Sequence, residues 1–166
     1  MQQRFLAISA AIVFAAVALP YVLPGVVSSL TAEADLVANG PEEPRTVTIG
    51  ADDKGHFATE AAIDGRTLAM VVDTGATKVV LSEKAARDLG IEPRPGDYIA
   101  RVQTANGIIP AAPVSLGVLS VGNVAVQDVA AVVVKGDALE LNLLGMSFLS
   151  RLTKFEAGDG QLVLVQ

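Results

Sequence analysis

From Thr46 onward, short runs of alternating apolar and polar residues are separated by turn-forming pairs, the pattern of half-buried strands rather than helices. "TVTI" alternates from Thr46. "HFATEAAI" and "TLAMVVD" flank Asp64-Gly65-Arg66, and Asp-Gly between two such runs predicts a hairpin. "VVL" follows the turn after Asp73. "YIARVQT" and "IIPAAPVSL" flank Ala105-Asn106-Gly107, predicting a second hairpin with Asn-Gly at its tip. "VLSV" and "VAVQDVAAVVV" are strands around Gly122-Asn123, and "TKFEA" and "QLVLV" pair around Gly158-Asp159-Gly160.

Two stretches break the period of two. "SEKAARDLG" has helical spacing, with Ser82 suited to the N-cap and Gly90 to the left-handed position past the end. In "LNLLGMSFLSRL" an apolar strand gives way to a short helix over 146–151. "EPRPGD" reads as a loop. With about nine short strands and two short helices in about 120 residues, residues 46–166 are expected to form one mainly-β, barrel-like or sandwich-like domain.

The first 45 residues follow another pattern. No residue between Phe5 and Ala32 is charged, and a helix from Phe5 to Val27 would rise roughly 34 Å, enough to cross a hydrocarbon core of about 30 Å. Pro20 and Pro24 would kink or shorten it. Arg4 precedes the apolar run, whereas Glu33, Asp35, Glu42 and Glu43 follow it. The expectation is an N-terminal transmembrane helix within residues 1–30, a polar linker over 31–45, and the domain on the exported, periplasmic side. The competing expectation is a signal peptide cleaved near Ala32-Glu33-Ala34, which would release the domain into the periplasm.

Composition narrows the chemistry. The chain is 51% hydrophobic, and much of that excess lies in the N-terminal run. Without cysteine there are no disulfides, thiolate nucleophiles or cysteine metal sites. The net charge of −6, with no basic patch interleaved with aromatics, argues against nucleic acid as a partner. His56 is the only histidine, so a histidine metal centre or a Ser-His-Asp triad would depend on it alone, and no Gly-x-Ser-x-Gly elbow is present. A surface or strand-end place suits His56 better. Asp52-Asp53 reads as a turn with Lys54-Gly55. Neither metal nor cofactor is expected.

One carboxylate remains to be explained. In "LAMVVDTGATKVVLS" an apolar run ends in Asp73, followed by Thr74-Gly75-Ala76. Ending a buried strand in a charge is costly unless the charge is hydrogen-bonded, paired or protonated. A carboxylate held rigidly at a strand end, with Gly75 allowing a tight turn and Thr74 able to donate a hydrogen bond, suits general acid–base work. An ordinary Asp-Gly-type turn is the plain alternative.

"VVDTGAT" followed by "VVLS", and later "NLLGMSFL", resembles the retroviral-type aspartic proteases, and more nearly the bacterial membrane-anchored retropepsin-like proteases. The resemblance runs over about 55–165. It implies a single-lobe acid-protease β-barrel with Asp73 as the catalytic residue and Thr74, Gly75 and Ala76 supporting its turn. Leu143-Leu144-Gly145 would be the loop packed against that turn. The hairpin tip, Thr104, Ala105, Asn106, Gly107 and Ile108, would be a flap over substrate. Aspartic proteases use two carboxylates that share one proton. This chain has one such motif and room for one lobe, so the resemblance implies a homodimer in which a second copy supplies the other Asp73 and Thr74 meets its counterpart. Retroviral members place an acid after Asp-Thr-Gly-Ala and an arginine after the later glycine. Here those positions are Thr77 and Met146, so this dimer would be braced differently. The implied activity is hydrolysis of peptide bonds, and the expected location would offer envelope or membrane proteins as substrates; a non-catalytic envelope peptide-binding or scaffolding module is the alternative.

Overall fold

Asp64 and Gly65 have φ of 47° and 84°, the left-handed pair that a two-residue hairpin turn requires. They join β2 (Ala58–Ile63) to β3 (Arg66–Val72), which pair antiparallel from Ala58↔Val71 to Ile63↔Arg66. The computed structural model describes residues 43–104, 107–136, 139 and 141–166. The apolar segment over 1–30, most of the linker and the hairpin tip Ala105-Asn106 lie outside these residues. Among the described residues no helix is long and apolar enough to cross a membrane.

The domain is mainly β. β1 (Thr46–Gly50) lies on one side of β10 (Gln161–Val165) and β9 (Lys154–Gly158) on the other, forming a three-stranded antiparallel sheet. The larger sheet also contains β4 (Val79–Ser82), β5 (Ala100–Thr104), β6 (Gly107–Val121), β7 (Val124–Val134) and β8 (Asn142–Leu144). Its order is β2-β3-β8-β4-β7-β6-β5, and β2 also pairs with the far end of β6 through Ala62↔Ser120 and Ile63↔Leu119. That extra pairing curls the sheet back on itself, so the fold is barrel-like.

Among the described residues two short α-helices interrupt the strands. In α1 (Glu83–Asp88), the Ser82 hydroxyl accepts the Ala85 N–H at 3.1 Å, and Gly90 follows the helix with φ of 80°. These are the capping roles expected from the sequence. α2 (Met146–Leu149) stops short of the predicted residue 151. The Arg151 and Leu152 N–H groups bond three residues back, to Phe148 and Leu149, and so tighten the end into 3₁₀-type geometry. The expected loop before β5 contains a 3₁₀ turn, Pro95–Asp97.

Two strands expected over 108–116 and 118–121 are one continuous strand, β6. The reason lies outside it. The Asp64 carboxylate accepts the N–H groups of Gly117 and Val118 at 3.3 and 2.7 Å, while the Asp64 N–H donates to the Val118 carbonyl at 2.9 Å. The turn between β2 and β3 thus carries the chain through Gly117. His56 is exposed and lies 3.5 Å from Asp52, whose carboxylate also accepts the Lys54 and His56 N–H groups. Chiefly because of the His56 N–H, the Asp52 carboxyl titrates below the usual carboxylate range.

The main core collects Ile63, Met70, Leu81, Leu116, Leu119, Phe148 and Leu164, each almost wholly buried. Residues 79–81 of β4 and 131–134 of β7 are unbroken apolar runs because both of their faces are covered. Val79, Leu81, Ala131 and Val133 face the main core, while Val80, Val132 and Val134 belong to a second cluster with Ala111.

The start of α2 is pressed against the turn after β3. A Cβ built on Gly145 would lie 2.2 Å from the Lys78 carbonyl oxygen and 2.7 Å from that of Ala76. Both are backbone atoms, so neither can swing aside. Gly145→Ala should therefore destabilise the protein by about 3 kcal/mol, the upper end of overpacking costs. Gly96→Ala, where the new methyl meets nothing within 4 Å, should change stability by less than about 0.5 kcal/mol. Urea denaturation of both variants checks the contrast.

Candidate active site

β3 delivers Asp73 into a turn whose backbone bonds are made on both sides. Next to it, the Val72 N–H donates to the Phe57 carbonyl at 2.9 Å, and the Asp73 N–H donates to Leu144 at 3.1 Å. The Ala76 N–H closes the turn onto the Asp73 carbonyl at 3.2 Å, and the Ala76 carbonyl accepts the Met146 N–H at 2.8 Å. β8 runs parallel to β3, pairing Val71 with Leu143 and Val72 with Leu144. Leu144 is buried in the core, Leu143 faces the second cluster, and Gly145 abuts the turn.

The Asp73 side chain is half-buried. Its Oδ1 accepts the Gly75 N–H at 2.8 Å, while Oδ2 has no hydrogen-bond partner among the described residues. A Cβ on Gly75 would come within 3.1 Å of that same Oδ1, so glycine leaves the carboxylate where its bond holds it. Thr74 and Gly75 are exposed, whereas Ala76 packs on the second cluster. Thr77 is exposed and Met146 packs on the main core.

Two residues that sequence reading overlooked hold this turn from below. Asn142 accepts the Ser82 N–H at 2.9 Å and donates to the Ala69 carbonyl at 3.2 Å, bridging β4 and β3. The Ser147 hydroxyl accepts the Val79 N–H at 3.0 Å and donates to the Ala130 carbonyl at 2.6 Å, fastening α2 to β4 and β7. Their signal is visible in retrospect: each is the lone polar residue within an apolar run, "LNLLG" and "GMSFL". A polar side chain at such a place must find partners.

A cavity of about 600 Å³ opens beside Asp73. One wall is the turn itself, with Gly75, Ala76, Thr77 and Lys78. Opposite lies the hairpin, contributing Ala100 to Gln103 of β5 and Ile109 of β6, and Val80, Val132, Val134 and Leu143 form an apolar floor. The second cluster of the fold is therefore the lining of this cavity. Of the residues expected at the hairpin end, Ile108 is 61% exposed and lies outside the cavity lining. Alternation along β6 puts its neighbour Ile109 on the inner face. Gly107, with φ of 113°, pairs with Thr104 where the strands meet, and Ala105 and Asn106 are outside the described residues. The site thus combines an anchored carboxylate, a largely apolar cleft and an overhanging hairpin. Among the described residues β5 is the last strand of its sheet.

Comparisons with known proteins bear on the family and the fold. Residues 59–151 match the family model described as "gag-polyprotein putative aspartyl protease". The crystal structure of a retropepsin-like aspartic protease from Rickettsia conorii is similar with a TM-score of 0.67 and 32% identity, covering 74% of this chain and 92% of that one. An uncharacterized Sinorhizobium protein encoded in the 5′ region of cobV is 40% identical over 110 residues, 66% of this chain and 47% of its own length. An uncharacterized protein of Rickettsia prowazekii is 31% identical over 118 residues, 71% of this chain and 50% of its own. The chain therefore spans about half the length of the curated relatives it matches. With the family match running from β2 past α2, and the same fold in a protease of that kind, the chain belongs to the retropepsin-like aspartic protease family.

Proposed function

We propose that this chain is half of a homodimeric aspartic endopeptidase, its active site completed where two Asp73 side chains meet. One observation carries the reading: Asp73 sits on a turn braced by β8 and α2, with one oxygen held by the Gly75 N–H and the carboxylate facing a cleft under a hairpin. A general acid–base group must be held in place yet reach the reacting atoms, and this arrangement does both.

The chemistry follows from two carboxylates sharing one proton. The ionised partner takes a proton from a water as that water attacks the scissile carbonyl. The protonated partner gives its proton to the carbonyl oxygen. The resulting tetrahedral diol collapses as the leaving nitrogen is protonated, with no covalent bond to the protein. Substrate would lie as an extended strand in the cleft beside β5, its side chains in the apolar lining, and the hairpin above would exclude water. With Thr77 and Met146 in place of a charged pair, the dimer would rely on other contacts. An apolar anchor within residues 1–30 would hold the domains at the exported face of a membrane and raise their effective concentration. Envelope or membrane proteins are the substrates this location would offer.

Asp73→Asn should leave the fold intact and lower kcat/KM on a cleavable peptide by about a hundredfold to ten-thousandfold. Full activity in that variant, or no cleavage by the wild type across a diverse peptide pool from pH 4 to 8, would refute the protease and favour a peptide-binding module. The pH–rate profile should be bell-shaped: activity falls in acid when both carboxylates are protonated, and in alkali when both are ionised.

Mixing wild-type and Asp73→Ala chains under exchanging conditions tests the shared site. At equal amounts about a quarter of the dimers keep two intact carboxylates, so activity per wild-type chain should halve. Strict proportionality to the wild-type chain would rule out the shared site.

A further inference from the structure

One side chain ties together the two approaches to the hairpin. Glu83 is the first residue of α1, and its side chain is 30% exposed. Oε2 accepts the Gly136 N–H at 2.8 Å, and Oε1 accepts the Tyr98 hydroxyl at 3.1 Å. Tyr98 stands at the root of the hairpin, two residues before β5, with its ring partly packed on the main core. Gly136 follows β7 with φ of 72°, and the neighbouring Lys135 N–H donates to Pro110 in β6 at 3.2 Å. The carboxylate thus reaches β5 through Tyr98 and β6 through the Lys135-Gly136 backbone. Its helix does not need it as a cap, because Ser82 already caps the first turn.

We infer that Glu83 is a positioning residue for substrate: by fastening Tyr98 and Gly136 to α1, it sets the height of the hairpin above the cleft at Asp73. Its effect on turnover rests on the protease reading; the clip itself does not. Arg87 lies 3.8 Å from Oε1 and Lys135 stands 5.5 Å from the Tyr98 ring centre, so both cations face the clip, and Asp97 adjoins Tyr98. The Gly136 N–H chiefly, then the Tyr98 hydroxyl, hold the Glu83 carboxyl below its ordinary range, with Arg87 and Lys135 adding to the effect. Burial, then Glu83, raises the Tyr98 hydroxyl. A lowered carboxylate stabilises the folded form above its unfolded pKa, and the gain is lost as pH falls through the folded value. The clip is closed at neutral pH and opens in acid.

The test uses Glu83→Gln, Glu83→Asp and Tyr98→Phe in the full chain. Glutamine keeps a single acceptor oxygen. Aspartate keeps the charge at the helix start but is one methylene too short to reach both partners. Glu83→Gln and Glu83→Asp should raise KM about threefold to tenfold while kcat changes less than about twofold. Tyr98→Phe should move KM in the same direction. Both Glu83 variants should also lose hydrogen-exchange protection at the Gly136 amide. In the wild type, the Gly136 protection factor should drop as pH falls through the lowered Glu83 value, with no such step in Glu83→Gln. Unchanged KM and Gly136 protection in Glu83→Gln would overturn the inference. So would wild-type behaviour of Glu83→Asp, which would leave only a charge effect on the helix. If the wild type cleaves no peptide, the protease reading fails alone, and the Gly136 protection factors still decide the clip.

Discussion

The site depends on a backbone contact with no room to spare. Gly145 lies so close to the carbonyls of Ala76 and Lys78 that no side chain fits between them. Through that contact α2 starts directly behind the turn that carries Asp73, and the Met146 N–H bonds the Ala76 carbonyl. The adjoining Asp73 N–H bonds Leu144 on the strand leading into Gly145. A carboxylate on a free loop would trade positional certainty for entropy; here ordering the turn is offset by packing already made in the core. Asn142 and Ser147 extend the brace to β3, β4 and β7, so the turn is attached to each strand around it.

The same economy appears in the sheet. β4 and β7 bury residues on both faces, one face completing the core and the other lining the cleft. The cleft is therefore not a gap left by poor packing. It is the second face of strands whose first face holds the domain together. A substitution at Val80 or Val132 acts on the cleft wall, whereas Val79 or Val133, one residue along, acts on the core. Glu83 links this framework to the hairpin, joining the roof of the cleft to the same helix that follows β4.

Much of the fold was legible in the sequence because its signals are local. Asp64-Gly65 and Asp159-Gly160 mark turns by the left-handed backbone they need, Ser82 and Gly90 bracket a helix, and alternating apolar residues mark strands. The failures have the opposite cause. Gly117 looked like a break, but the Asp64 carboxylate, far away in sequence, supplies the bonds that let β6 continue. The flap residues expected from the sequence ended at Ile108, whereas the cleft lining takes Ile109 from β6 and leaves Ile108 exposed. Asn142 and Ser147 went unremarked because a polar residue in an apolar run does not announce its partners.

By itself, the sequence determined the strand and turn framework, the absence of thiol chemistry, and Asp73-Thr74-Gly75-Ala76 as the place where a carboxylate ends an apolar strand. These follow from residue type and short-range spacing, which act through backbone preference and periodicity. Only the tertiary structure decided what surrounds Asp73: the backbone contact at Gly145, the two-faced sheet that lines the cleft, and the Glu83 clip to Tyr98 and Gly136. Each joins residues distant in the chain, and their bonds depend on ångström-scale distances that no local pattern specifies.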